Sequence, residues 1–220
     1  QPAFTAHGVF DIELELIRRS GQTFWAHMRG RAVVPGDVSQ GTIWTIEDVT
    51  AAREHREQLA YTASHDALTG LYNRAAFERV LDAAAAVAAR EPFCTLFIDL
   101  DRFKLVNDNG GHAAGDALLR DLAAILSQHV RKTDVVARLG GDEFAVMLPS
   151  CPEDQARRVA DTLCAEVLMY ELIWQGARFS VGASVGLVMV GAGFTSAAEV
   201  LRAADSACYQ AKKRGRSRVE

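Results

Sequence analysis

Arg138-Leu-Gly-Gly-Asp-Glu-Phe-Ala-Val-Met-Leu148 is the stretch on which the reading of this chain turns. Apolar residues flank two glycines and two adjacent carboxylates, which predicts a β-hairpin with Asp142 and Glu143 on its turn. Gly140 and Gly141 tolerate positive φ and leave room for a ligand to approach the backbone. Neighbouring carboxylates repel unless a cation or a proton compensates them, so the arrangement costs stability and points to chemistry. A solvated polar turn is the bland alternative. The choice depends on whether other polar groups converge on the same place.

Phe93-Cys-Thr-Leu-Phe-Ile-Asp-Leu-Asp101 is a mainly apolar run that ends in acids, as a buried central strand would, with Asp99 and Asp101 emerging on one side. If that strand neighbours the hairpin, Asp99, Asp142 and Glu143 meet at one sheet end. Hard oxygen ligands of this kind suit Mg2+ or Mn2+, which keep waters and bind phosphates. Lys212 and Arg216, at the basic end of the chain, can supply the charge that holds a triphosphate; a solvated helix end is the alternative.

Working outward, a helix is expected to start at Asn73, a good N-cap, and to run through the Ala-rich segment 75–89 until Pro92 prevents its continuation. After the acidic strand, 103–112 reads as turn-rich and leads into a helix from about 113 to 130, with Leu118, Leu119, Leu122, Ile125, Leu126 and Val130 on its buried face. Asp116 falls in the first turn of that helix, where the dipole alone would favour an anion. A helix after Pro152 has apolar positions from Ala156 to Leu168, and the alternation from Phe179 to Leu187 predicts one strand. The last helix opens on a Ser196-x-x-Glu199 capping box. From residue 66 the order is therefore helix, strand, helix, hairpin, helix, strand, helix. That predicts an α/β (α+β) domain with a central, mainly antiparallel sheet surrounded by helices.

Ahead of it, 8–47 is β-rich with turn signals at Ser20-Gly21 and Pro35-Gly36-Asp37, which predicts a three-stranded antiparallel meander. A charged helix follows over 49–64. Val49, Ala52, Arg56, Leu59 and Ala63 keep a coiled-coil spacing within it, and a solvated linker helix explains the same residues. His55 and His65 show no partners in this context. The boundaries are placed at 1–48, 49–65 and 66–220.

The net charge of −4 argues against non-specific binding to nucleic acid or to an acidic membrane. Cys94, Cys151, Cys164 and Cys208 lack metal or redox spacing and read as reduced core residues. With no bilayer-length apolar run and no signal peptide, a cytoplasmic location is expected. The start at Gln1-Pro2-Ala3, in mid-pattern, reads as a piece of a longer protein, in which an anchor could lie upstream.

From Asp66 to Arg218 the motifs together resemble the GGDEF-domain diguanylate cyclases. They are Asp66-Ala-Leu-Thr-Gly-Leu-Tyr-Asn-Arg74, Asp99-Leu-Asp-Arg-Phe-Lys104, Asn107-Asp108, Gly111-His112, Gly115-Asp116, Arg138-Leu-Gly-Gly-Asp-Glu-Phe144 and Tyr209-Gln-Ala-Lys-Lys-Arg-Gly-Arg216. The 8–48 meander resembles the C-terminal part of a PAS sensory domain, here without the helical half that holds a ligand, so no ligand pocket is expected in it.

The resemblance implies a nucleotidyl-cyclase, palm-like fold and the condensation of two GTP to cyclic di-GMP with release of two pyrophosphates. It implies that Asp99, the Leu100 carbonyl, Asp142 and Glu143 bind two Mg2+ or Mn2+ ions per active site, with Asp142 and Glu143 catalytic. Asn107 and Asp116 match the guanine readers, and a carboxylate and an amide do complement the donors and acceptors of guanine. Phe103, Lys104, Lys212 and Arg216 match the β- and γ-phosphate ligands. Arg131-x-x-Asp134, with Arg138, matches an inhibitory site for the cyclic di-GMP product. A homodimer is implied because each domain holds one GTP; no nucleic-acid or membrane contact is implied. Gly110 departs from the bulky residue usual there, which predicts a looser loop beside the guanine site. The rivals are a catalytically silent cyclic di-GMP receptor and a palm-like nucleotidyl transferase or adenylyl cyclase relative.

Overall fold

The structure is a computed structural model that describes residues 9–35 and 37–220. Gly36, in the expected Pro35-Gly36-Asp37 turn, and the first eight residues lie outside the described residues. The chain divides into two compact units, Gln1–Tyr61 and Thr62–Glu220.

In the first unit, β1 (Val9–Ile17), β2 (Thr23–Val34) and β3 (Asp37–Asp48) form the expected antiparallel meander in that order. Phe10 and Ala26 are buried in it, and the Phe10 ring meets Trp44 edge-on at 5.1 Å. Helix α1 (Thr50–Ser64) grows from this sheet. The Trp25 amide donates to the Thr50 hydroxyl at 2.8 Å, and the Arg53 guanidinium lies 3.8 Å over the Trp25 ring. Asp48 accepts from the Thr50 amide at 3.0 Å and pairs with Arg18. An open cleft lined by Arg18, Phe24, Asp48, Thr50 and Glu54 sits at this junction, so the meander is not without a concavity. No residue of α1 is buried, and Leu59 of the expected seam is 56% exposed.

The second unit runs β4 (Tyr72–Asn73), α2 (Arg74–Ala85), β5 (Phe93–Asp101), α3 (Phe103–Gln128), β6 (Val135–Gly140), β7 (Glu143–Pro149), α4 (Glu153–Met169), β8 (Leu172–Trp174), β9 (Ala177–Phe179), β10 (Gly182–Val190) and α5 (Ala197–Lys213). Its five-stranded sheet has the order β10-β5-β7-β6-β4, antiparallel except for the β4–β6 pair. β5 is mainly apolar up to its acidic end because both sheet faces are covered. Cys94, Leu96, Ile98 and Leu100 pack with α3 and α4, whereas Phe93 and Phe97 pack with α2 and α5. Asn73 caps α2 as expected, its side chain accepting from the Ala76 amide. Ser196 caps α5, but Glu199 reaches back to Thr195, accepting from its amide at 3.0 Å and its hydroxyl at 2.9 Å. All four cysteines are free and buried.

Several expectations are corrected. The segment 103–112 is helical rather than turn-rich: α3 begins at Phe103 and breaks only at Gly111, where φ is +76°. The strand expected from Phe179 to Leu187 is divided, because Phe179 ends the β8–β9 hairpin and β10 begins at Gly182. Leu168 is 56% exposed although it keeps the period of α4. His65 does have partners: its ring stacks on Tyr72 at 4.9 Å and meets the Ser64 hydroxyl at 2.9 Å. The Gly110 loop is filled rather than loose. A Cβ on Gly110 would lie 2.7 Å from the Ala114 Cβ and 3.0 Å from the Phe179 ring, so the aromatic volume arrives from the β8–β9 hairpin.

Candidate active site

β5 and β7 lie side by side, with Asp99 opposite Glu143 in register and the Leu100 amide donating to the Asp142 carbonyl at 3.2 Å. Across its other edge Asp99 faces Ser184 of β10. The three acids therefore gather at one sheet end, from segments far apart in sequence. The turn that carries two of them uses Gly140 at φ +146° and Gly141 at φ +51°. Nothing lies within 4 Å of a Cβ at either glycine, so conformation rather than crowding demands glycine, and the space in front is open.

Two arginines brace this turn. Arg138 donates to the Gly141 carbonyl at 3.0 and 2.8 Å and to both oxygens of Asp66 at 3.1 and 3.3 Å. Asp66 also accepts from the Thr69 amide at 2.9 Å and hydroxyl at 2.7 Å. Burial works against this carboxylate, but the Thr69 and Arg138 hydrogen bonds outweigh it and hold its pKa below the ordinary range. Arg138 is thus engaged at the Gly-Gly turn, toward the other end of β6 from Arg131. Arg74 donates to the Leu139 carbonyl at 3.1 Å and to Glu143 at 3.2 Å. Sequence reading quoted Asp66, Thr69 and Arg74 within motifs and assigned them no task. Their bracing role depends on contacts across 65 to 72 residues.

Asp99 meets Lys212 of α5 at 2.6 Å. Burial pushes the Asp99 carboxyl up, Lys212 pulls it down, and Asp142 and Asp101 push it up again, with a net rise. Glu143 is also raised, by burial first and then by Asp99, Asp142 and Asp205, with Arg74 opposing. Burial disfavours the Lys212 charge, yet its hydrogen bond to Asp99 and the Asp99 charge hold its pKa above the ordinary lysine value.

Among the described residues, no three acidic, histidine or cysteine side chains are gathered closely enough to cage a metal. The nearest cations to Asp99 and Glu143 are Lys212 and Arg74. The donor set still fits a hard divalent ion: it is all oxygen, and in Asp99 and Glu143 burial first, and then neighbouring acid charges, raise the pKa.

Of the sequence-predicted nucleotide residues, Phe103, Lys104, Asn107 and Asp116 lie on α3 and Lys212 on α5, and Arg216 lies in the turn after α5. α3 starts from Arg102, at φ +61° and with no side-chain cap, so the first amides of α3, at Phe103 and Lys104, have no capping side chain. Asn107 packs onto Gly115: a Cβ there would lie 2.0 Å from the Asn107 Oδ1. Gly115 thereby lets Asn107, which precedes the break at Gly111, pack against the residue next to Asp116, which follows it. Arg216 approaches Asp101, Nε to Oδ1, at 3.9 Å. Away from these, Arg131 and Asp134 form a tight turn, the Arg131 amide donating to the Asp134 carboxylate at 2.7 Å. Beside that turn is a cleft of about 230 Å³ lined by His65, Tyr72, Ser127, Val130, Arg131 and Asp134.

Comparison with known proteins places this geometry. The family described as "Diguanylate cyclase, GGDEF domain" matches residues 63–218. The chain is 44% identical to the probable diguanylate cyclase DgcE of Escherichia coli K12 over 220 residues, 99% of this chain and 20% of DgcE. It is 41% identical to the diguanylate cyclase TpbB of Pseudomonas aeruginosa over 167 residues, 74% of this chain and 38% of TpbB. Both relatives are thus much longer than the part they share with it. The coiled coil and GGDEF domain of DgcB from Caulobacter crescentus, solved in complex with c-di-GMP, superposes with a TM-score of 0.73 at 32% identity, covering 78% of this chain and 92% of that one.

Proposed function

The chain belongs to the GGDEF-domain family of diguanylate cyclases, and on that premise we propose that it condenses two GTP into cyclic di-GMP and two pyrophosphates. The observation that carries this reading is the β5–β7 register, which brings Asp99, Leu100, Asp142 and Glu143 to one sheet end beside Lys212. In each half-reaction a ribose 3′-oxygen forms a bond to the α-phosphorus of the other GTP, the bond to the bridging oxygen of the pyrophosphate breaks, and the hydroxyl proton leaves. Asn107 and Asp116 hold guanine by its amide edge. The α3 amides at Phe103 and Lys104, with the Lys212 and Arg216 side chains, hold the β- and γ-phosphates. Glu143, kept in place by Arg74, is placed to accept the proton or to serve as a ligand.

Asp99, the Leu100 carbonyl, Asp142 and Glu143 would hold Mg2+ or Mn2+, two ions per site. Such ions lower the pKa of a bound hydroxyl and neutralise phosphate charge. Lys212 would then exchange its Asp99 partner for the triphosphate. A single domain presents one set of these residues, so two chains must face each other. The exposed seam of α1 supports it as the element that aligns them, between a partial PAS domain (1–48) and the catalytic domain (66–220). The proposed use of GTP supports a cytoplasmic location for the domain.

The test is incubation of a dimeric preparation with GTP and Mg2+, with chromatography of the products. Cyclic di-GMP is expected from the wild type, and a loss of at least about a thousandfold from Asp142→Ala. A dimer that binds cyclic di-GMP and makes none would be the receptor of the rival reading. The 33% identical PdeB of Shewanella oneidensis, a cyclic di-GMP phosphodiesterase, shows that relatives of this domain also occur in proteins not named as cyclases.

Product inhibition is proposed at Arg131 and Asp134. The neighbouring cleft and the exposure of Arg131 on its turn support it, whereas Arg138 is held by Asp66 and Gly141. Calorimetry should show cyclic di-GMP binding weakened about tenfold or more in Arg131→Ala. Equal affinities would remove the assignment.

A further inference from the structure

We infer that Asp101 is a positioning residue for the phosphate-binding end of α5, acting through the closing residues 215–220; the inference rests on the proposed reading of Arg216 as a phosphate ligand. Asp101 is the last residue of β5 and is 5% exposed. Its Oδ2 accepts from the Ser217 amide at 2.9 Å and the Ser217 hydroxyl at 3.3 Å, and its Oδ1 accepts from the Ser184 hydroxyl at 2.8 Å. The catalytic pattern described above gives this buried acid no task.

The segment it grips does not adopt its shape unaided. Gly215, Arg216 and Ser217 lie at φ +116°, +65° and +46°, a run of left-handed residues of which only the first is glycine. A non-glycine residue in that region is disfavoured and persists where its surroundings impose it. Asp101 imposes it from one side. From the other, the tail pairs with β10: the Val185 amide donates to the Arg218 carbonyl at 2.9 Å, the Glu220 amide to the Val185 carbonyl at 3.0 Å and the Leu187 amide to the Glu220 carbonyl at 2.8 Å. Arg157 donates to the Val219 carbonyl at 2.8 Å. Gly182 clears the seat, because a Cβ there would lie 2.1 Å from the Ser217 Oγ and 3.0 Å from the Asp101 Oδ2.

Arg216 therefore stands on a strained turn held in two ways: its own amide donates to the Ala211 carbonyl at 3.0 Å, and the next residue, Ser217, is tied to the buried Asp101 carboxylate. Removing that carboxylate leaves the Ser217 donors unmatched and lets the turn relax, which moves the Arg216 guanidinium. Asn107 and Asp116 stand on α3 and stay where they are. The signature is a loss confined to the outer phosphates.

The experiment compares binding of 3′-deoxy-GTP, which lacks the attacking hydroxyl and cannot turn over, with binding of GMP, by calorimetry. Asp101→Ala should bind 3′-deoxy-GTP about tenfold more weakly and GMP as the wild type does. Asp101→Asn, which keeps an acceptor for the Ser217 amide, should restore binding to within about threefold. Arg216→Ala is run alongside. A selective loss in Arg216→Ala with equal or no losses in Asp101→Ala overturns the positioning role. No selective loss in Arg216→Ala overturns the phosphate reading beneath it. If Asp101→Ala does not fold, Gly182→Ala decides: it displaces Ser217 from the same carboxylate without removing a charge, and wild-type binding of both ligands would overturn the inference.

Discussion

Asp99→Asn is expected to lower cyclic di-GMP formation by at least about a thousandfold while leaving the thermal midpoint near pH 7 unchanged or higher. The activity loss follows from removing one of the proposed anionic metal ligands, at the sheet end where Asp142 and Glu143 also stand. The stability gain follows from the sign of the Asp99 shift. Burial, with Asp142 and Asp101 behind it, raises this carboxyl above its ordinary value in the folded chain, despite Lys212. A carboxyl with a raised folded pKa binds its proton more tightly folded than unfolded, so its ionisation weakens the fold as pH rises through that pKa. Asparagine carries no such charge and, by still offering Lys212 an acceptor, offsets part of the loss of the Asp99 charge that holds the Lys212 pKa up. The advantage of the variant should therefore be greatest at neutral pH and shrink as pH falls below the folded pKa of Asp99. Melting curves from about pH 4 to about pH 7, read beside product formation, test both halves. Activity within tenfold of wild type, or a variant clearly less stable at neutral pH, would sink the idea that Asp99 is kept for chemistry at the expense of the fold.

Gly186→Val is expected to destabilise the catalytic domain strongly. Gly186 lies in β10 opposite Phe97 of β5, and the backbone of α5 rests directly on it. A Cβ at this position would lie 1.9 Å from the Ala204 carbonyl oxygen and 2.4 Å from the Cys208 amide nitrogen. Neither is a flexible side-chain end that could swing away, so the helix itself must lift. Overpacking of this kind costs about 3 kcal/mol, and more for valine than for alanine. At this chain length that corresponds to a midpoint lower by on the order of 10 °C. Lifting α5 also withdraws Lys212, one turn beyond Cys208, from Asp99. Thermal denaturation of Gly186→Ala and Gly186→Val checks this in graded steps, and midpoints within about 2 °C of wild type for both would refute it.

The two sites show where sequence legibility ends. Asp99, Asp142 and Glu143 were legible because a buried strand ending in acids and a Gly-Gly turn carrying acids are local patterns, and their ordered spacing with Asn107, Asp116 and Lys212 identified the family. The sheet-and-helix class, the N-terminal meander and the caps at Asn73 and Ser196 were legible for the same reason: each depends on neighbours within a few residues. Gly186 was visible only as a glycine in an alternating strand. The helical start of α3 was hidden by the turn-forming residues Asn107, Asp108, Asn109, Gly110 and Gly111, whose local preference gave way to packing of Phe103 and Val106 into the core. The β8–β9 hairpin was missed because its strands, Leu172–Trp174 and Ala177–Phe179, are too short for a periodic signal.

What the sequence alone determined, then, was the chemistry: which acids, amides and bases are present, in an order specific enough to assign the family. What the tertiary structure decided was how those groups are held. Arg138 and Arg74 brace the Gly-Gly turn, Phe179 fills the space beside Gly110, Lys212 answers Asp99, and Asp101 ties the closing residues beneath Arg216. These are contacts between residues tens of positions apart, and no local propensity or periodicity encodes the distance between them. It is set only when β5, β7 and β10 pair in register and α5 settles onto Gly186.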